Sequence, residues 1–203
     1  MVFSQASHQI DIVRAIAGSA VERVRGWVGQ GARGVDARYS ALLTFADGAV
    51  ASLTYSGSGR FDSDALAGGI GEMGRPKAPR AAFTDEAAAK AARGFAAGLA
   101  GPAPHHERFG SVVVCCGDAD VELTPDGVIV HADDGATAHT APLPPAPRHD
   151  VIDAFVRAIR GNGDRRFDGD WGLTTLACCH AIIASAAAGK DIAPAALIAA
   201  AEH

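Results

Sequence analysis

RYSALLTFADGAVASLTYS, residues Arg38–Ser56, decides how this chain folds. Tyr39, Ala41, Leu43 and Phe45 recur at every second position, the period of a strand with one apolar face. Ala49–Ser56 alternates in the same way, and Asp47-Gly48 between the two runs tolerates the positive φ of a tight turn, so together they read as an antiparallel hairpin. Val21–Val28 just upstream adds a third strand of the same kind. A second β region follows the same recipe: Ser111–Cys116, Ala119–Thr124, Val128–Ala132 and Thr137–Ala141, separated by Gly117-Asp118, Pro125-Asp126-Gly127 and Asp133-Asp134-Gly135. Helical spacing of apolar residues predicts helices over His8–Ala17, with Ser7 as N-cap and Gly18 as stop, over Asp150–Arg160, over Asp170–Ala188, and over the short Pro194–Glu202. Strand runs with helices at their flanks, rather than strict alternation, predict an α+β fold: an open, largely antiparallel or mixed sheet of about seven strands, flanked by helices.

The 203 residues carry a net charge of −5 and include 44 alanines but only two Trp and two Tyr, so Val, Ile, Leu and Phe must build the core. That length suits a single domain over residues 1–203. Residues 74–108, rich in Ala, Pro and Gly, read as an insertion or flexible flap with a helix at Thr84–Ala97. The negative balance and scattered basic residues exclude the electrostatic footprint of nucleic-acid binding. The cysteines form adjacent pairs, Cys115-Cys116 and Cys178-Cys179, which do not meet disulfide geometry; with no signal peptide spelling at Met1, the expectation is a reduced, cytoplasmic protein. The most apolar stretch, Leu173–Ala188, is too short to span a bilayer and is broken by His180 and Ser185, so no membrane role is expected.

Three constellations invite chemistry. Gly69-Ile70-Gly71-Glu72-Met73-Gly74 spells G-x-G-x-x-G, but no β-branched run precedes it and Pro76 and Pro79 follow, so the strand and helix that a dinucleotide turn requires are missing; it reads as a glycine-rich loop. His105-His106 and Cys178-Cys179-His180 invite a metal, yet adjacent residues diverge on strands and helices, so no metal site is expected, and His180 reads as a core or interface histidine. Ser4–Arg14 is more informative. An imidazole at the start of a helix feels the positive end of its dipole, which keeps a neutral ring ready to exchange a proton; Asp11, one turn on, would orient His8 or pair with Arg14. The same spacing also suits a solvated helix face.

Gln5-x-x-His8-Gln9-x-Asp11-Ile12-Val13-Arg14, the Tyr39–Ala49 segment, Tyr55-Ser56-Gly57, Phe109-Gly110, Asp168-Gly169-x-Trp171-Gly172 and Ala187-Ala188-Gly189-Lys190 resemble the C-terminal domain of the Gfo/Idh/MocA oxidoreductases, most closely the branch of phthalate 4,5-cis-dihydrodiol dehydrogenase. The resemblance runs over roughly Phe3 to Leu197. It implies the substrate-binding and oligomerisation domain of an enzyme that uses NAD or NADP and acts on a hydroxyl of a sugar, cyclitol or cis-dihydrodiol. His8 matches the family's catalytic histidine, with Gln5, Gln9 and Asp11 beside the substrate. Ser4 stands where relatives often carry Asp, so a carboxylate for the proton relay must come from elsewhere. The family's N-terminal Rossmann domain is absent from this sequence. The chain alone is therefore expected to bind no cofactor tightly and to be inactive. The partners expected are a small-molecule substrate and a second copy, as a homodimer or higher homo-oligomer through the apolar sheet face of Tyr39, Ala41, Leu43 and Phe45. The competing reading is a non-catalytic homodimeric assembly module with this fold.

Overall fold

A computed structural model describes residues 1–30, 36–57, 59, 61–77, 101–146, 148–162 and 168–201. The helix expected at Thr84–Ala97 lies outside the described residues. The order is a π-helical turn Val2–Ala6, α1 Ser7–Ala17, β1 Val21–Gln30, β2 Asp36–Phe45, β3 Val50–Ser56, a 3-10 turn Ser63–Ala67, β4 Val113–Cys115, β5 Asp120–Thr124, β6 Gly127–Ala132, β7 Gly135–Thr140, α2 His149–Ile159, α3 Gly169–Ala188 and α4 Pro194–Ala201. The α+β class stands, with seven strands among the described residues, all antiparallel to their neighbours. They do not form the one sheet expected: the ladders close as β1-β2-β3 and, separately, β4-β5-β6-β7. Strand period reveals which residues share a face but not which strand pairs with which, and this is where the sequence reading fell short.

The chain divides into two compact units, Met1–Arg60 with Asp164–His203, and Phe61–Gly163. In the first, the hairpin register sets Tyr39 opposite Tyr55, Ala41 opposite Leu53 and Leu43 opposite Ala51, so one face of the sheet is apolar throughout. That face is buried inside the chain: Val24, Tyr39, Ala41, Leu43, Phe45 and Leu53 pack with Val2, Ala6 and Ile10 of the N-terminal helical segment and with Cys178, Cys179, Ala181 and Ile182 of α3. The face expected to receive a second copy is thus the core itself. The opposite face exposes Trp27, Leu42 and Val50 among polar neighbours.

Helix α3 presses closely on β1. A side chain at Gly26 would collide with the backbone carbonyl of Ile182, so only glycine permits this approach. Ser185 Oγ accepts the Gly26 N–H at 2.9 Å and donates to Lys190 O at 2.6 Å, stitching strand, helix and the turn after it. Ile192 then bridges Val24 in both directions and covers the outer edge of β1. At 20 residues, α3 is longer than the apolar stretch seen in sequence, and its length and composition would let it cross a membrane; here its buried side is committed to the sheet.

In the second unit β4–β7 form a meander whose turns fall at Pro125-Asp126 and Asp133-Asp134, as expected. Polar ties hold its loops. Asp64 pairs with Arg108 at 2.7 Å and Lys77 at 2.9 Å, Lys77 also reaches Asp62 at 2.8 Å, and Arg108 donates to Ile70 O. Hydrogen bonds to the two carboxylates raise the Lys77 pKa above its ordinary value.

Candidate functional site

The N-terminal segment does not start where its spelling indicates. Ser7 is not an N-cap: it lies in α-helical conformation, its hydroxyl donates to Phe3 O at 3.2 Å, and the π-helical turn runs into α1 without a break. The first free N–H groups therefore lie near residue 2 rather than beside His8, and the positive end of the helix dipole is displaced from His8 by more than a turn. Gly18, at φ 64°, closes α1 as expected, its N–H bonded to Arg14 O.

Around α1 the side chains sort by direction. Ile10 and Arg14 are buried, and His8 is exposed on the solvent side. Gln9 is fixed to the sheet: its Nε2 donates to Thr54 O at 3.1 Å and its Oε1 accepts from Tyr39 Oη at 2.7 Å. Tyr39 stacks on Tyr55 with ring centroids 5.8 Å apart, and burial pushes its hydroxyl pKa well up, so it remains a donor at any physiological pH. Gln5, in the π-turn, is half-buried.

Asp11 faces α3. One of its oxygens, Oδ1, accepts from Trp171 Nε1 at 3.0 Å and from the Thr175 hydroxyl. Arg14 reaches the same place: its Nη1 donates to Thr175 Oγ1 and to Trp171 O at 2.9 Å, while its guanidinium carbon lies 3.9 Å from the centroid of the Trp171 ring. Burial lowers the Arg14 pKa, and the neighbouring Asp11 carboxylate opposes the shift. Asp168 caps α3 by accepting from the N–H groups of Asp170 and Trp171, which sets Trp171 in place. Asp11, Arg14, Trp171 and Thr175 thus form one polar cluster of which the sequence spacing had shown only Asp11 and Arg14.

The remaining sequence candidates separate. His180 is exposed, not buried, with its ring edge-on to Phe3 at 4.9 Å. His105 Nδ1 lies 2.6 Å from Asp126 Oδ1 and His106 Nε2 lies 3.2 Å from Ala141 O. Both line a cavity of about 210 Å³ in the second unit, together with Glu107, Arg148, His149 and Asp150. Among the described residues no three His, Cys, Asp or Glu side chains converge as metal ligands. The Gly69–Gly74 loop follows a 3-10 turn and closes through an Ile70–Pro76 bridge. A 3-10 turn rather than a strand precedes it, and among the described residues no helix N-terminus stands at the loop for a pyrophosphate.

Residues 1–67 match the GFO/IDH/MocA C-terminal domain. The chain is 32% identical over 202 residues to the 1-carboxy-3-chloro-3,4-dihydroxycyclohexa-1,5-diene dehydrogenase of Comamonas testosteroni, covering 90% of this chain and 51% of that protein. A candidate dehydrogenase from Bordetella bronchiseptica RB50 has the same structure at a TM-score of 0.81 and 32% identity, over 95% of this chain and 54% of that one. An oxidoreductase from Agrobacterium radiobacter, solved with NAD+, L-tartaric acid and magnesium, shares the fold at a TM-score of 0.60 and 15% identity, over 95% and 48% of the two chains. The chain spans about half the length of the relatives it matches. In its first 67 residues the chain carries the GFO/IDH/MocA C-terminal domain, and along nearly its whole length it is similar in sequence and fold to the Comamonas and Bordetella dehydrogenases.

Proposed function

We propose that the chain is the substrate-side domain of a dehydrogenase that oxidises a hydroxyl of a cis-dihydrodiol, with His8 as the group that takes the hydroxyl proton. The observation that carries this reading is the exposed imidazole of His8 on α1, within the stretch matching the family and beside Gln9 and Asp11, which are tied to the sheet and to α3. The Comamonas relative, whose substrate is named as a dihydroxycyclohexadiene bearing a carboxyl group, favours the dihydrodiol over a sugar or cyclitol. Gln5, half-buried beside His8, is the second residue we assign to the substrate. Gln9 and Asp11 would contribute indirectly, because the atoms they would offer a ligand already hold Tyr39, Thr54, Trp171 and Thr175.

The oxidant of such an enzyme is NAD or NADP, and the 3-10 turn that precedes the Gly69–Gly74 loop, in place of a buried strand, supports a site for it elsewhere. This chain's part is the proton: the imidazole nitrogen accepts it as the carbon bearing the oxygen is oxidised. Alone, the chain would then turn nothing over. The test supplies the cofactor-binding half of a relative in trans with a cis-dihydrodiol substrate. His8→Ala should lower the restored kcat by about 10²–10⁴-fold. Equal activity of the two proteins would remove His8 from the chemistry.

A further inference from the structure

Helix α1 is anchored on two opposed flanks. On one, Gln9 joins Tyr39 of β2 and Thr54 of β3. On the other, Asp11 and Arg14 join Trp171 and Thr175 of α3. A helix packed by apolar contacts alone slides and rotates at little cost, because such contacts are non-directional; hydrogen bonds with fixed lengths and angles are not so tolerant. Gln9 and Asp11 each stand about 100° from the buried Ile10, on opposite sides of it, and two such anchors determine the rotation of the helix about its own axis. His8 lies between them on the remaining, exposed side, since successive residues advance by about 100°.

We infer that Asp11, Arg14, Trp171 and Thr175, together with Gln9 and Tyr39, act as a rotational lock that sets the direction in which His8 is presented. Asp11 and Arg14 are positioning residues. The catalytic meaning of the lock rests on the reading of His8 as proton acceptor, but the lock itself does not. Chemistry supports the assignment: the carboxylate accepts two hydrogen bonds on one oxygen, the guanidinium both donates and stacks on the indole, and each partner is buried or half-buried, so none can be exchanged for water without a change in packing. Among the described residues every buried side-chain nitrogen and oxygen has a partner, so the cluster has no slack to absorb a rotated helix.

The test is made on this chain, with residual dipolar couplings of the α1 amides and the ring C–H resonance of His8 as readouts. Asp11→Ala should shift the α1 couplings together and move or split the His8 signal, while the β1–β3 couplings stay in place. Asp11→Asn keeps an acceptor for Trp171 and Thr175 and should restore wild-type couplings, a rescue that a loss of general stability would not show. Arg14→Lys keeps the charge without the stacking and should give an intermediate change. Should Asp11→Ala not fold, Gln9→Leu tests the other anchor by the same readouts. Couplings and a His8 signal unchanged in a folded Asp11→Ala or Gln9→Leu protein would overturn the lock. Failure of His8→Ala to lower activity would overturn the catalytic reading and leave these couplings as they are.

Discussion

Cys178 and Cys179 show how a residue's meaning depends on its surroundings. Adjacent cysteines in a sequence suggest metal or redox chemistry, yet these two are sealed in the core of the first unit, whereas Cys115 and Cys116 are exposed. Burial pushes the Cys178 thiol up to about 12 and the Cys179 thiol up to about 11, so neither forms appreciable thiolate near neutrality. In native protein at pH 8, Ellman's reagent should titrate two thiols quickly and two only after denaturant is added; four fast thiols would mean the core is open. The same burial ties stability to pH. Both thiols hold their protons more tightly when folded, so their contribution is complete below pH 9.0, the ordinary thiol value. It is lost progressively as pH rises toward 11 and 12, at about 1.4 kcal/mol per pH unit for each thiol still protonated only in the folded state. Urea midpoints measured from pH 8 to pH 11 should fall, and Cys178→Ala should make the fall shallower even though it lowers the starting value.

At the scale of elements, the contact between β1 and α3 depends on Gly26 and Ser185. Gly26→Ala places a methyl group against the Ile182 carbonyl, and separating helix from sheet to accommodate it should lose about 2 kcal/mol, within the range for overpacked cores. Ser185→Ala leaves the Gly26 N–H buried without its acceptor and should cost about 1–3 kcal/mol. Urea unfolding followed by far-UV circular dichroism measures both; a Gly26→Ala protein of unchanged midpoint would show that α3 can yield. Much of this layer was readable beforehand. Alternation from Tyr39 to Phe45 and the Asp47-Gly48 turn fixed the hairpin, because strand period and turn chemistry are local properties. The π-turn escaped notice because Ser7 has the spelling of a cap, and nothing local says that the chain before it is already helical. The partners of Asp11 escaped for a different reason: Trp171 and Thr175 lie 160 and 164 residues away, and no spacing rule reaches across that distance. His8 was singled out by its place near the start of a helix and given its role by family resemblance, but its exposure was not legible, since that depends on which face of α1 the core claims.

For the molecule as a whole, the question is how the surface left over by the core is used. The burial of Tyr39, Ala41, Leu43 and Phe45 removes them from any contact with a second copy. Any homodimer built on this sheet must therefore use the reverse face, where register aligns Arg25 with Leu42 and Leu42 with Ser52, and Trp27 with Ser40. Trp27, Leu42 and Val50 are 54%, 48% and 57% exposed there, on three adjacent strands. Large apolar groups grouped on a flat sheet are what a self-complementary interface needs at its centre, and Arg23 and Arg25 give it a polar border. We expect static light scattering to report twice the chain mass at micromolar concentration. Trp27→Glu or Leu42→Glu should convert the protein to monomer while leaving its circular dichroism spectrum unchanged, because neither residue contributes to the core. A wild-type monomer would refute assembly through this face. A dimer that survives both substitutions would place the interface elsewhere, and the three exposed residues would then serve other contacts.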